Sequence, residues 1–341
     1  MSVPVRAARP ADIPAMVDLL KRDADRRHAC DPALWSLAPD APARIAEALA
    51  AALSDAPQPI RQTWLLAETG DRPVGLAHVL HVPVPPIYLG ADGPPGLTMP
   101  EIALAPDAPD ATLDSLADAA ETALREGGAR LLLATQVGDP PCAPAWSAAF
   151  ARRGYAPLTL YLSKTGLASA RPERPPEGPR PAGAADIPGL VALSAAHRAT
   201  LEGLDPFWRR HPDADARFEA WMRRSLTLAD RDMRVGGPAE DVAGYLVAQP
   251  ASRLHVPPAH DLSPIGVIDD FHHRDLADPE SLANGGRGAL ALLQAGEAAF
   301  AARSVDTAFV VCPAAWRSKA ALLAAAGYRT AMTWSIRRGF G

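Results

Sequence analysis

One order of segments occurs twice along this chain, and that doubling limits what the chain can fold into. Arg9-Pro-Ala-Asp12-Ile13-Pro14-Ala-Met-Val-Asp-Leu19 returns as Ala184-Ala-Asp186-Ile187-Pro188-Gly-Leu-Val-Ala-Leu193. Asp31-Pro32-Ala-Leu-Trp35 returns as Asp205-Pro206-Phe-Trp208, and Ala43-Arg44-Ile45-Ala-Glu47-Ala48 as Ala216-Arg217-Phe218-Glu219-Ala220. Arg153-Gly154-Tyr155 returns as Ala326-Gly327-Tyr328. The spacing is nearly constant: 174 residues from Asp12 to Asp186 and 173 from Gly154 to Gly327. The chain of 341 residues holds only 7 Trp and 5 Tyr, so their return in step is not an echo of its alanine-rich composition. Two copies of one unit are implied, each of about 165 residues and large enough for its own core. Between them, Gly166 to Pro181 is so rich in proline that neither helix nor ladder can run through it. The expected organisation is a first domain over 1–165, a linker over 166–178 and a second domain over 179–341.

Hydrophobic residues make up 48% and charged residues 21%, the balance of a folded globular chain. The net charge is -5 and no basic stripe stands out, so nucleic acid is not an expected partner. No run reaches the ~18 apolar residues that a membrane span needs. The N-terminus lacks the apolar stretch of a signal peptide. Cys30, Cys142 and Cys312 are scattered without metal-ligand spacing and cannot form a fully paired disulfide framework. A cytoplasmic protein without a metal, monomeric or homodimeric, is therefore expected.

Each half reads as the same series. A short strand leads to a helix opened by Asp-Ile-Pro, with Asp12 or Asp186 as the cap and apolar residues at helical spacing behind it. A second helix follows, Pro42 to Leu53 and Ala214 to Leu228. Strands come next: Thr63 to Glu68 and Val74 to Val82 about a Thr69-Gly-Asp-Arg turn, with Met233 to Val235 and Val242 to Ala248 as their counterparts. Glu101 to Leu104 and Pro264 to Phe271 form a further strand. A long helix, an apolar strand, a last helix and a last strand close each half. The order is β-α-α-β-β-β-α-β-α-β, an α/β (α+β) unit with a mixed, mostly antiparallel sheet flanked by helices and one βαβ crossover.

This order resembles the GCN5-related N-acetyltransferase (GNAT) fold, in tandem. In the second half, Asp269-Asp270-Phe271-His272-His273 followed by Asn284-Gly285-Gly286-Arg287-Gly288-Ala289 is similar to the family's strand that runs into a Gly-x-Gly loop and opens a helix. Trp316 to Tyr328 resembles its later acyl-CoA segment, which ends in Gly-aromatic. The resemblance implies acetyl-CoA as co-substrate, with the pyrophosphate on the helix N-terminus, where free N–H groups and the dipole favour an anion. It places Phe271, His272, His273, Asn284, Gly285, Gly286, Arg287, Gly288, Ala289, Trp316 and Ser318 at the cofactor. It makes Asp269 or Asp270 the general base, and strand alternation sends only one of the two into the cleft. Tyr328, with Ser318 and Cys312 as other possible donors, is left as the acid candidate, because the position of the family's usual tyrosine holds Leu323. Trp208 and Glu202 fall where the family receives its acceptor, an amine of a small molecule or peptide. Ala283 stands where the family usually carries Gln or Arg. The first half lacks the loop: no glycine lies between Gly96 and Gly127, and Pro109, Asp107, Asp110 and Asp114 fill the region. The expected activity is N-acetyl transfer by the second half, supported by a degenerate first half. A non-catalytic acyl-CoA-binding or structural pseudo-acetyltransferase is the alternative.

Overall fold

The structure is a computed structural model that describes residues 2–138, 145–169 and 178–339. The first half runs β1 (Val5–Ala7), α1 (Ile13–Cys30), α2 (Ala41–Ala52), β2 (Gln62–Thr69), β3 (Arg72–His81), β4 (Gly96–Leu104), α3 (Thr112–Glu126), β5 (Leu132–Val137), α4 (Ala145–Arg152) and β6 (Ala156–Lys164). The second half repeats the series as β7 (Arg180–Pro181), α5 (Ile187–Leu204), α6 (Ala214–Ser225), β8 (Asp232–Gly236), β9 (Gly244–Pro250), β10 (Ile265–His273), α7 (Arg287–Ala302), β11 (Thr307–Pro313), α8 (Arg317–Ala325) and β12 (Arg329–Arg337).

The repeated Asp-Ile-Pro has a different local role from the one expected. Neither aspartate caps α1 or α5 with its side chain. Each instead closes a short 3-10 turn ahead of the helix: Asp12 accepts from the Arg9 N–H at 2.7 Å and Asp186 from that of Gly183 at 2.7 Å. Each carboxylate also takes a two-pronged arginine from the preceding strand. Arg6 donates to Asp12 at 2.7 and 2.8 Å, and Arg180 to Asp186 at 2.9 and 2.5 Å. The planar guanidinium fits this geometry. The motif thus ties strand to helix in both copies.

All twelve strands form one sheet, in the order β1-β2-β3-β4-β5-β12-β6-β11-β10-β9-β8-β7. Only β4–β5 and β10–β11 are parallel. Read from either edge, the sheet lists equivalent strands in the same sequence, but at the centre each half's place is filled by the other half's strand. The sequence pattern closes each half with its own last strand, but the structure exchanges them. β6 pairs with β11 of the second half, from Ala308↔Lys164 to Pro313↔Thr159. β12 pairs with β5 of the first, from Met332↔Val137 to Arg337↔Leu132. The two exchanged strands pair with each other antiparallel. Their buried side chains, Leu158, Tyr161 and Leu162 with Met332, Trp334 and Ile336, share one core with Leu133, Phe309 and Val310.

Loops cross as well. Residues 82–95, between β3 and β4, reach the second half, where Leu89 N–H donates to Arg209 and His211 N–H donates to Ile87. The equivalent segment 251–264 reaches the first half, where Ala38 N–H donates to Ala259 and Asp261 N–H to Ser36. The expected linker also departs from a free spacer at its start: Gly166 and Ala168 donate to the Asp306 carboxylate and Leu167 is buried. Residues 170–177 of that linker, and Cys142, lie outside the described residues. Cys30 is disulfide-bonded and Cys312 is free and buried, so the cysteine count no longer argues for a reducing compartment. Among the described residues no helix is long and apolar enough to cross a membrane.

Because each half lends the other a strand, the chain is expected to unfold in one calorimetric transition, with matching calorimetric and van't Hoff enthalpies. Two resolved transitions would show that the halves fold separately.

Candidate functional site

β10 and β11 run side by side only as far as Ile268, opposite Val310. There β10 bulges: Ile268 faces Ala248 and Asp270 faces Val247, which leaves Asp269 as the extra residue. Beyond the bulge β10 keeps its ladder to β9 alone. A bulge re-aims the side chains around it, and this corrects the alternation expected for the two aspartates. Both carboxylates lie within electrostatic reach of Tyr88 and of Lys319.

Asp270 accepts a hydrogen bond from the Tyr245 hydroxyl at 3.0 Å, and His197 Nδ1 lies 3.7 Å from the same oxygen. Burial, and then the negative Asp269, push its carboxyl up to about 6, against the pull of Tyr245 and Lys319. Asp269 is exposed to solvent, and desolvation by the protein beside it still raises its carboxyl. Behind Asp270, His197 and His272 stack at 4.8 Å and Trp316 meets both rings edge-on. Burial holds both imidazoles neutral, with His272 pushed down to about 3. Lys319 enters from α8. Its Nζ donates to the Phe271 carbonyl at 2.8 Å and lies over the Phe271 and Trp316 rings, and burial lowers its affinity for its proton. Two tyrosines come from the first half: Tyr88 on the crossing loop, influenced by both aspartates, and Tyr161 on the exchanged β6, influenced by Asp269.

The first half carries the same carboxylate in a different setting. Ile102 faces Ala77 as Phe271 faces Leu246, so Glu101 is the counterpart of Asp270. Burial alone would raise the Glu101 carboxyl, but His78 at 3.7 Å and the charge of Arg27 outweigh it and hold it below the ordinary value. The first carboxylate is held in its charged form by its neighbours. The second is left able to exchange a proton near neutral pH.

At the other end of β10 the chain turns into α7. Asn284, Gly285 and Gly286 lie in succession at φ of 51°, 63° and 70°, a left-handed run that Asn and Gly tolerate best. The N-terminal N–H groups of α7 already have an anion. Asp275, buried, accepts from Gly288 at 2.7 Å, from Ala289 at 3.3 Å and from the Asn284 amide at 3.1 Å. Burial works against the charged form, but these hydrogen bonds and the adjacent His273 keep the Asp275 carboxyl below its ordinary value. His273 Nδ1 accepts from the Asp275 N–H, so the ring is fixed in place. Gly286 is buried, while Gly285 and Arg287 are exposed. Ser318 donates its hydroxyl to Asp278 at 2.7 Å and its N–H to Pro279 at 2.8 Å, and Arg317 pairs with Glu280. Of the residues expected at the cofactor, His273, Asn284, Gly288, Ala289 and Ser318 grip residues 274–283 of their own chain, while His272 and Trp316 pack behind Asp270. As it stands this arrangement does not fit a pyrophosphate: the Gly288 and Ala289 amides are taken and the space beside them carries a negative charge.

The remaining expected residues lie apart. Tyr328 is buried beside Glu297, with Lys164 over its ring, away from the aspartate pair. Trp208 is packed in the core against Phe207. Glu202 is held by Arg210 at 2.6 Å, and Arg210 is bridged to Tyr88 on the crossing loop. In the first half α3 starts at Thr112 where α7 starts at Arg287, so Ala111 is the counterpart of Gly286. Sequence reasoning passed over Lys319 although it lies one turn before Leu323 on the same helix face. Tyr245 sits two residues from Asp270 across the ladder, where a register guess would have found it. Tyr88 leaves no such signal, because the loop that delivers it belongs to the other half. Among the described residues no three His, Cys, Asp or Glu side chains are placed to hold a metal.

No protein-family model matches the chain, and no curated protein sequence does. Its structure is similar to that of a GCN5-related N-acetyltransferase from Sphaerobacter thermophilus, with a TM-score of 0.55 and 17% identity over 98% of this chain and 94% of that one. It is also similar to a tandem GNAT protein from the clavulanic acid biosynthesis pathway, with a TM-score of 0.48 and 17% identity over 98% and 97%. The chain has the GNAT fold, in two copies.

A Cβ at Gly288 would lie 2.3 Å from the His273 ring and 3.0 Å from Asp275, whereas one at Gly285 meets nothing within 4 Å. Gly288→Ala is therefore expected to cost about 2–3 kcal/mol by overpacking and Gly285→Ala about 1 kcal/mol from its positive φ. Denaturant melts that reverse this order would contradict the placement of His273.

Proposed function

We propose that the protein is an N-acetyltransferase that passes an acetyl group from acetyl-CoA to the amine of a small molecule or peptide, with the chemistry in the second half. Asp270 carries this reading: a carboxyl at a strand bulge, bonded by Tyr245 and raised to about 6, is charged at neutral pH and still able to accept a proton. An acceptor amine arrives as an ammonium ion and must lose that proton to react. Asp270 takes it, and Asp269 beside Tyr88 and Tyr161 offers the acceptor a negative, hydroxyl-lined approach. Lys319 Nζ holds a proton close to both carboxylates. Acetyl-CoA, when bound, supplies the activated acyl group. The first half contributes walls and core to this site in place of a second copy of the chemistry.

One observation favours the alternative of a non-catalytic pseudo-acetyltransferase, namely that Asp275 already occupies the amides of α7. Release of free CoA from acetyl-CoA over a broad amine panel separates the two readings. Turnover that Asp270→Asn lowers by about a hundredfold or more, the usual weight of a general base, supports the enzyme. Release no faster than the blank, from the wild type and Asp270→Asn alike, supports the pseudo-enzyme.

The pH profile carries a second test. Below about 6 Asp270 is protonated and cannot act as a base, so kcat is expected to fall on the acid side. The Tyr245 hydrogen bond favours the charged form, so Tyr245→Phe is expected to move that acid limb to higher pH. A limb that stays in place would assign the titration to another group.

A further inference from the structure

We infer that Asp275 is a built-in competitor for the acyl donor's pyrophosphate, so that a nucleotide thioester binds the second half only when residues 274–283 leave the N-terminus of α7. This inference rests on the acyl-CoA reading proposed above. Three donors converge on one buried carboxylate, the Gly288 and Ala289 amides and the Asn284 side chain. These are the donors that a left-handed Asn-Gly-Gly turn before a helix presents to an anion. A pyrophosphate brought here meets a like charge and finds its partners engaged. The segment bearing Asp275 is also fastened from outside. Ser318 holds the carbonyls of Asp278 and Pro279, Arg317 pairs with Glu280, and Asp278 accepts from the Glu280 N–H and the Ser281 hydroxyl. Farther along the cleft the Lys319 ammonium occupies the Phe271 carbonyl, on the stretch of β10 past its last pairing with β11. Both ends of the donor site are therefore closed by side chains of the same half.

Displacing a charged carboxylate held by three hydrogen bonds costs binding energy, so removing it is expected to tighten binding. The test is calorimetric titration of the full-length protein with CoA, for the wild type, Asp275→Asn and Asp275→Ala. Asp275→Asn keeps the shape and an oxygen for the two amides while removing the charge, and it guards against a fold defect in Asp275→Ala. The expected result is CoA affinity at least about tenfold higher in both variants than in the wild type. Ser318→Ala, which loosens the fastening, is expected to move affinity the same way by less. Tight wild-type binding that neither Asp275 variant alters would overturn the competitor and leave the acyl-CoA reading standing. No CoA binding by the wild type or either variant, with thermal melts showing them folded, would overturn both.

Discussion

The antiparallel pairing of β6 with β12 is the contact on which the rest of the molecule depends. Each strand is sequence from one half serving as sheet in the other, so neither half owns a complete sheet. The side chains of this pair, Tyr161 and Trp334 among them, join the core beneath both halves. Fixing the centre also fixes how the outer strands face one another, and it lets the loops 82–95 and 251–264 reach across. A site near this axis then draws on both halves without any further device, and Tyr161 beside Asp269 is the direct outcome.

The bulge in β10 is the second constraint. It adds one residue, Asp269, and it coincides with the end of pairing to β11. The first half has a larger irregularity at the same ladder position, where Met99, Pro100 and Glu101 span a step that His78 crosses alone. Both copies therefore place a carboxylate immediately before an equivalent apolar residue. Their neighbours decide what each does. His78 and Arg27 hold the Glu101 carboxyl below its ordinary value, whereas Asp269 adds a like charge to Asp270.

The element order of each half was legible in sequence because helical spacing, turn residues and apolar strands are local signals, and the repeat supplied each signal twice. Asp269, Asp270 and the Asn284–Ala289 turn were singled out through the family resemblance, since the first half carries no copy of that turn. Strand exchange was not. An apolar strand such as Leu158–Leu162 carries no mark of which β5-like edge it joins, since both edges ask for the same pattern. Asp275 was missed on different grounds: a carboxylate two residues past a strand reads as loop polarity until the chain is seen to fold back on α7. Trp208 shows the opposite error, a recurring aromatic whose repetition reflected packing.

The exchange also bears on the order in which the sheet can be assembled. Leu132 and Arg337 are ladder partners although they are about two hundred residues apart in sequence. While the chain is being made, β5 lacks its final partner until residues 329–337 have left the ribosome. A strand edge without its partner is open to pairing with other chains, and non-local ladders of this kind close slowly. The same feature that joins the two halves into one finished sheet thus makes the chain dependent, during synthesis, on whatever shields Leu132 to Val137 in the interval.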